Sequence, residues 1–192
     1  MRLLVDLGNS RLKWAWCDHD RWQLGAANVA GTSFDEILNT LDQSDGTPEQ
    51  VVFASVADEK STTALRNALA ARWQAPVREI QSVKEQLGVR NRYRDPAQLG
   101  ADRWAALIAA RQETDRPACI ISCGTAVTVD AMNAGGEFIG GVILPGLELM
   151  RRSLAEGTAA IARHEGDDSS CQARSTEDAV MSGTRFALAG AI

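Results

Sequence analysis

Two short stretches of the chain share one pattern. Residues 6–14 read DLGNSRLKW and residues 122–130 read SCGTAVTVD. An apolar run precedes each, RLLV in one case and ACII in the other. A glycine follows two residues in, then small polar residues, and then alternation resumes. An apolar run, a glycine-containing polar turn and a second run together read as a β-hairpin. A chain that builds this hairpin twice points to a duplicated unit, provided that the segments after each copy also correspond.

They correspond for most of the length. Strands are expected over 2–7, 11–17 and 22–30, followed by a helix over 33–43, where Phe34, Ile37, Leu38 and Leu41 recur at helical spacing. A loop at 44–49, a buried strand at 51–56, a helix at 58–73 capped by Asp58 and a short strand at 76–80 come next. A polar stretch (84–98) leads into a linking helix over 99–113, with Leu99, Trp104, Leu107 and Ile108 on one face. The order then restarts, with strands at 116–123, 127–133 and 137–144, a helix at 147–161, a loop at 164–175 and a helix from 176 onward. The pattern reads as a tandem β-β-β-α-β-α duplication in an α/β protein. The first unit is residues 1–117, including the linking helix, and the second is residues 118–192. By comparison with the first, the second lacks roughly 40 residues, one strand–helix pair.

Composition narrows the functional classes. Net charge is -5 and the chain has no long run of one sign, whereas a nucleic-acid binder usually carries a basic face. The one basic segment, VRNRYR (89–94), holds a single aromatic and reads as a solvated loop, so no nucleic-acid partner is expected. Asp6 interrupts the opening apolar run too early for a secretory signal. The longest apolar run, AALIAA (105–110), is far short of the ~20 residues that span a bilayer. A cytoplasmic protein without a membrane partner is expected, with Cys17, Cys119, Cys123 and Cys171 as reduced thiols. Cys119 and Cys123 could suggest a metal pair, but His19 and His164 lie far off in sequence. Strand burial for Cys119 and close backbone packing for Cys123 explain the pair better than zinc.

The turns carry the chemistry. A tight glycine turn exposes backbone N–H groups to a ligand. Asn9, Ser10 and Thr125 add polar side chains, Lys13 adds a cation, and Asp6 could hold a metal ion between protein and phosphate. Either turn alone reads first as an ordinary hairpin. Two at matching places favour a polyphosphate gripped from both sides of a cleft. Neither a GxxxxGK[ST] loop nor a GxGxxG turn after a strand occurs, so the grip is not of either common type. In QLGADRW (98–104), Asp102 and Arg103 open the linking helix. The helix dipole favours an ionised Asp102, available as a base, and Arg103 could bind a substrate carboxylate in bidentate fashion. The plain alternative is a helix-start charge preference beside a surface arginine. The position of the helix, joining the two halves, favours the functional reading.

Taken together, DLGNSRLK (6–13), NRYRDPAQLGADR (91–103), CGTAVTVD (123–130), GGVILPG (140–146) and SGT (182–184) resemble the type III pantothenate kinases. These are bacterial enzymes of the acetate kinase/sugar kinase/Hsp70/actin superfamily. The resemblance implies two tandem ribonuclease H-like units facing across a nucleotide cleft, the second truncated at its C-terminus. It implies ATP-dependent phosphorylation of pantothenate to 4′-phosphopantothenate, the first step of coenzyme A biosynthesis. The family's ATP phosphate-binding hairpin maps onto Asp6, Leu7, Gly8, Asn9, Ser10, Arg11, Leu12 and Lys13, with Mg²⁺ near Asp6, and Thr125 also touches ATP. The pantothenate site maps onto Tyr93, Gly100, Ala101, Asp102, Arg103 and Thr184, with Asp102 as catalytic base. A homodimer with active sites at the subunit interface is implied as well.

Two departures qualify the resemblance. Family members commonly carry an aspartate for an activating K⁺ or NH₄⁺ where this chain has Ser122, so a weakened monovalent-cation site is expected. Asp130 is present, without an assigned role. The family sequence also continues past Ile192. Two alternatives stand beside the kinase. A non-catalytic transcriptional accessory relative would be favoured by degraded DxGN or GADR motifs, and both are intact. A different small-molecule kinase would keep the hairpins but lack the segment from Tyr93 to Arg103.

Overall fold

The computed structural model describes residues 1–41, 46–159, 161, 166 and 170–192. Residues 42–43 of the helix read over 33–43, residue 160 of the helix read over 147–161, parts of the loops at 44–49 and 164–175, and His164 lie outside the described residues; the second of these helices ends at Gly157, short of the reading. The chain forms two compact units, Met1–Ala109 and Ala110–Ile192. The division falls inside the helix that joins them, whereas the sequence reading cut after that helix.

The first unit is a five-stranded sheet with helices. Strands β1 (Arg2–Leu7), β2 (Arg11–Asp18) and β3 (Arg21–Asn28) form an antiparallel meander. Strand β4 (Gln50–Ser55) runs parallel to β1, and β5 (Val77–Glu79) runs parallel to β4. The order β3-β2-β1-β4-β5 is the one expected of a ribonuclease H-like unit. Period-two alternation explains the buried face: Leu3, Val5 and Leu7 of β1 and Val51 and Phe53 of β4 point to one side. Helices α1 (Phe34–Thr40) and α2 (Glu59–Arg72) cover that side with Ile37, Leu38, Leu65 and Leu69. Ser33 and Glu36 close a capping box at α1, and Asp58 caps α2. Trp16 ties the layers together: its indole N–H donates to the Leu41 carbonyl at 3.0 Å and its ring meets Trp73 edge-on at 5.8 Å. On β3, Gly25 makes room for Trp14, whose indole lies 2.3 Å from where a Cβ would stand.

The polar stretch before the linking helix is structured. Strands β6 (Glu85–Gln86) and β7 (Val89–Asn91) form a small hairpin. Its turn residues, Leu87 and Gly88, have φ of 49° and 79°, the left-handed pair of a type I′ turn. The solvated-loop reading of 89–94 is therefore corrected at two positions. Val89 and Asn91 are buried while Arg90 and Arg92 are exposed, so the segment alternates as a strand does. A single 3-10 turn, Pro96–Gln98, follows, and α3 (Ala101–Glu113) begins two residues later than the periodicity suggested.

The second unit repeats the meander with β8 (Ala118–Cys123), β9 (Ala126–Met132) and β10 (Glu137–Pro145), then adds α4 (Leu147–Gly157) and α5 (Thr176–Ala191). Val127, Met132, Phe138 and Met181 are buried. The burial expected of Cys119 is corrected: its thiol is exposed, on the same face of β8 as the exposed Ile121 and Cys123. Among the described residues no helix is long and apolar enough to cross a membrane.

Candidate active site

The first hairpin turns through Gly8, Asn9, Ser10 and Arg11, closed by the Gly8 N–H donating to the Arg11 carbonyl at 3.0 Å. Leu7 and Leu12 face each other across the strands and are fully buried, so they anchor the turn. The next pair outward is Asp6 and Lys13. The ammonium lies 3.3 Å from Asp6 Oδ2, and both side chains are accessible. Asn9 and Ser10 are exposed at the tip. A carboxylate, an ammonium and turn amides thus stand at one strand end. This donor set fits a hard divalent ion shared with phosphate oxygens, since such an ion takes one or two protein carboxylates and completes its shell from substrate and water.

The start of α3 reaches the same end of the sheet. The Val56 N–H, just past β4, donates to the Leu7 carbonyl at 3.0 Å. Val56 Cγ1 in turn lies 3.5 Å from the Cβ position of Gly100. Gly100, Ala101, Asp102 and Arg103 are therefore joined through Val56 to the residue that precedes the hairpin turn. The Asp102 carboxylate is exposed, and its Oδ1 accepts the Arg103 N–H at 2.7 Å. A Cβ at Gly100 would stand 2.6 Å from that oxygen, so glycine leaves the carboxylate its place.

Arg103 is 5% exposed, which corrects the alternative of a surface arginine. Its guanidinium lies 5.7 Å from the Tyr93 ring centroid, and its Nη1 donates to the Tyr93 hydroxyl at 3.0 Å. Tyr93 and the GADR segment, ten positions apart, are thus one cluster.

The second hairpin differs from the first in its turn. Cys123 pairs with Val127, so the turn spans only Gly124, Thr125 and Ala126, closed by the Gly124 N–H donating to the Ala126 carbonyl. Ser122 pairs with Thr128 where the first hairpin places Asp6 opposite Lys13. Two hydroxyls replace an ion pair there, and the buried Thr128 Oγ1 has no hydrogen-bond partner among the described residues. Gly146, at the end of β10, braces this turn. Its N–H donates to the Thr125 carbonyl at 2.8 Å, and a Cβ there would stand 2.1 Å from the Gly124 carbonyl oxygen. Thr184 sits on α5, its hydroxyl 2.9 Å from the Val180 carbonyl and 3.0 Å from that of Met181. It borders a cavity of about 890 Å³ between α4 and α5, lined also by Met150, Leu154, Val180 and Arg174.

Within the first unit, the structure brings the hairpin next to the GADR segment and Tyr93 next to Arg103. Within the second, it joins Gly146 to the turn of Thr125 and leaves Thr184 on a separate helix. The sequence reading did not single out Val56, Asn91 or Gly146. For Asn91 a signal existed, since asparagine followed two residues later by an irregular segment favours a side-chain bond to that later backbone N–H.

Comparison with known proteins gives the family. A sequence model of the type III pantothenate kinase family matches residues 2–192. A type III pantothenate kinase of Dechloromonas aromatica is 40% identical over 192 residues, covering 100% of this chain and 79% of its own length. One from Aromatoleum aromaticum is 44% identical over 195 residues, with 100% and 78% covered. A crystal structure from Campylobacter jejuni, described as a conserved member of the Baf family of transcriptional activators, has 18% identity and a TM-score of 0.58. It covers 99% of this chain and 79% of that one, and it supports the fold alone. This chain belongs to the type III pantothenate kinase family, whose members phosphorylate pantothenate with ATP.

Proposed function

We propose that Asp102 is the general base of this reaction and that the first hairpin, Asp6 through Lys13, holds the ATP phosphates. Asp102 takes the proton from the pantothenate hydroxyl. The hydroxyl oxygen then bonds to the γ-phosphorus as the bond to the bridging oxygen of ADP breaks. Lys13 and the amides of the hairpin turn stabilise charge on the phosphate oxygens, so the protein contributes positioning and electrostatics rather than covalent chemistry. Arg103, held by Tyr93, pairs with the pantothenate carboxylate. Thr125 contacts ATP, and Thr184 contributes to the pantothenate pocket. Asp6 would hold Mg²⁺, which when bound neutralises phosphate charge.

One observation carries this reading. The Val56 N–H bonded to the Leu7 carbonyl, with Gly100 packed against Val56, joins the accessible carboxylate of Asp102 to the strand end from which the hairpin turns. Three further assignments belong to the proposal. The protein works in the cytoplasm, it is a homodimer, and its monovalent-cation site is weak because Ser122 offers a dipole in place of a carboxylate. Sedimentation at micromolar concentration tests the dimer, and a monomer throughout would contradict it. The experiment for the function is ADP release with pantothenate and a panel of other alcohols. Turnover is expected with pantothenate above all others, and equal turnover across the panel would contradict the substrate assignment.

A further inference from the structure

We propose that Asn91 is a positioning residue for substrate binding, fixing Tyr93 and through it the guanidinium of Arg103. The inference rests on the assignment of Tyr93 and Arg103 to the pantothenate pocket.

Asn91 is the last residue of β7 and is 4% exposed, unusual burial for an uncharged amide unless every polar atom is used. Here both polar atoms of the side chain are used, and so is the backbone N–H. Its backbone N–H donates to the Lys84 carbonyl at 2.9 Å. Its side-chain Nδ2 donates to Ser82 Oγ at 3.0 Å and to the Pro96 carbonyl at 3.1 Å. Its Oδ1 accepts the Tyr93 N–H at 3.0 Å. The amide fits only one way round, because the Pro96 carbonyl can only accept and the Tyr93 N–H can only donate.

Residues 92–95 have no regular secondary structure. Tyr93 lies in this irregular stretch, and one side chain holds it at both ends, at Tyr93 itself and at Pro96. The backbone position of Tyr93 determines where its ring and hydroxyl meet Arg103, which sits 3.0 Å from that hydroxyl. Removing the amide takes away the acceptor that holds the Tyr93 N–H and one of two donors to the Pro96 carbonyl, which keeps only the Leu99 N–H at 3.3 Å. Aspartate at 91 keeps an acceptor for Tyr93 but sets a carboxylate oxygen against the Pro96 carbonyl.

Tyr93 is the sole tyrosine of the chain. Labelling with 3-fluorotyrosine therefore gives one ¹⁹F resonance that reports its surroundings directly. Asn91→Ala is expected to shift and broaden this resonance and to raise the KM for pantothenate about tenfold, the scale of one ~1.4 kcal/mol contact. The KM for ATP should stay within about twofold, and Asn91→Ala should add little to Tyr93→Ala, because coupled positions are non-additive. Arg90→Ala, an exposed neighbour on the opposite face of the strand, should leave the resonance in place. If Asn91→Ala does not fold, Asn91→Asp carries the same expectations for the resonance and the pantothenate KM. An unmoved resonance, a parallel rise of both KM values, or effects additive with Tyr93→Ala would overturn the proposal. Wild-type protein that fails to turn over pantothenate would contradict the functional reading, and the resonance would still decide the placement of Tyr93.

Discussion

The guanidinium of Arg103 lies over the ring of Tyr93 and donates to the hydroxyl of the same residue, at 5.7 Å and 3.0 Å respectively. One tyrosine thus orients a nearly buried cation by its face and by its edge. Lysine cannot reproduce both contacts, because its ammonium is not planar and presents no fork. Arg103→Lys is expected to raise the KM for pantothenate by about tenfold or more, the loss of at least one ~1.4 kcal/mol contact. The KM for ATP should change little. Steady-state kinetics with each substrate varied in turn makes the check, and an unchanged pantothenate KM would remove Arg103 from substrate binding.

Gly146→Ala tests the brace beneath the second hairpin. The new Cβ would meet the Gly124 carbonyl at 2.1 Å, and that atom belongs to rigid backbone. A loss of stability of about 1–3 kcal/mol is expected, the usual cost of overpacking, together with a raised KM for ATP through the displaced Thr125. Gly190→Ala is the contrast. Nothing stands within 4 Å of its Cβ position in the last turn of α5, and alanine there should leave stability within about 0.5 kcal/mol. Thermal unfolding of both variants decides, and equal effects would contradict the steric account.

The parts of the fold that were legible were those where one residue pattern repeats. Leu3, Val5 and Leu7 alternate, Asp58 caps α2 as read, and the two meanders follow the duplicated pattern. The hairpin at 85–91 was not legible. Strands of two and three residues are too short to display a period, and Leu87 is an unexpected residue at a left-handed turn position. The burial of Arg103 depends on a tyrosine ten positions upstream, which no local rule connects to it. Cys119 was assigned to a buried strand from residue type, whereas it lies with Ile121 and Cys123 on the exposed face of β8. Within the site, residue types marked the two hairpins and the GADR segment. Val56 and Gly146 act through backbone bonds and close packing that only the folded chain displays.

Asp58 gives α2 a pH-sensitive start. Its carboxylate accepts the Ser61 hydroxyl at 2.7 Å and the Ser61 N–H at 2.9 Å, and these bonds hold its pKa below the usual aspartate value. A lowered folded pKa gives stability that is present above the unfolded value and is lost as pH falls through the folded one. Asparagine also caps but does not titrate. The melting temperature of the wild type should therefore exceed that of Asp58→Asn at neutral pH, and the gap should shrink as the pH drops below about 4. A gap that stays constant across that range would contradict the assignment.

Ser122→Asp restores the carboxylate that family resemblance places at the monovalent-cation site. The wild type should respond weakly to K⁺ or NH₄⁺ and the variant more strongly, because a hydroxyl supplies a dipole and no charge. Mg²⁺–ATP binding should be alike in the two proteins, since Asp6 is untouched. Initial rates across a K⁺ titration make the comparison. Strong activation of the wild type, undiminished beside the variant, would show that other oxygens hold the ion.

The central claim is that Asp102 is the base for pantothenate phosphorylation. Mass-spectrometric detection of 4′-phosphopantothenate from wild type and Asp102→Asn, paired with calorimetric ATP binding to both, tests it most directly. The expected result is product from the wild type, turnover lowered by about 10²-fold or more in the variant, and unchanged ATP affinity. Near-native turnover by Asp102→Asn would contradict the account.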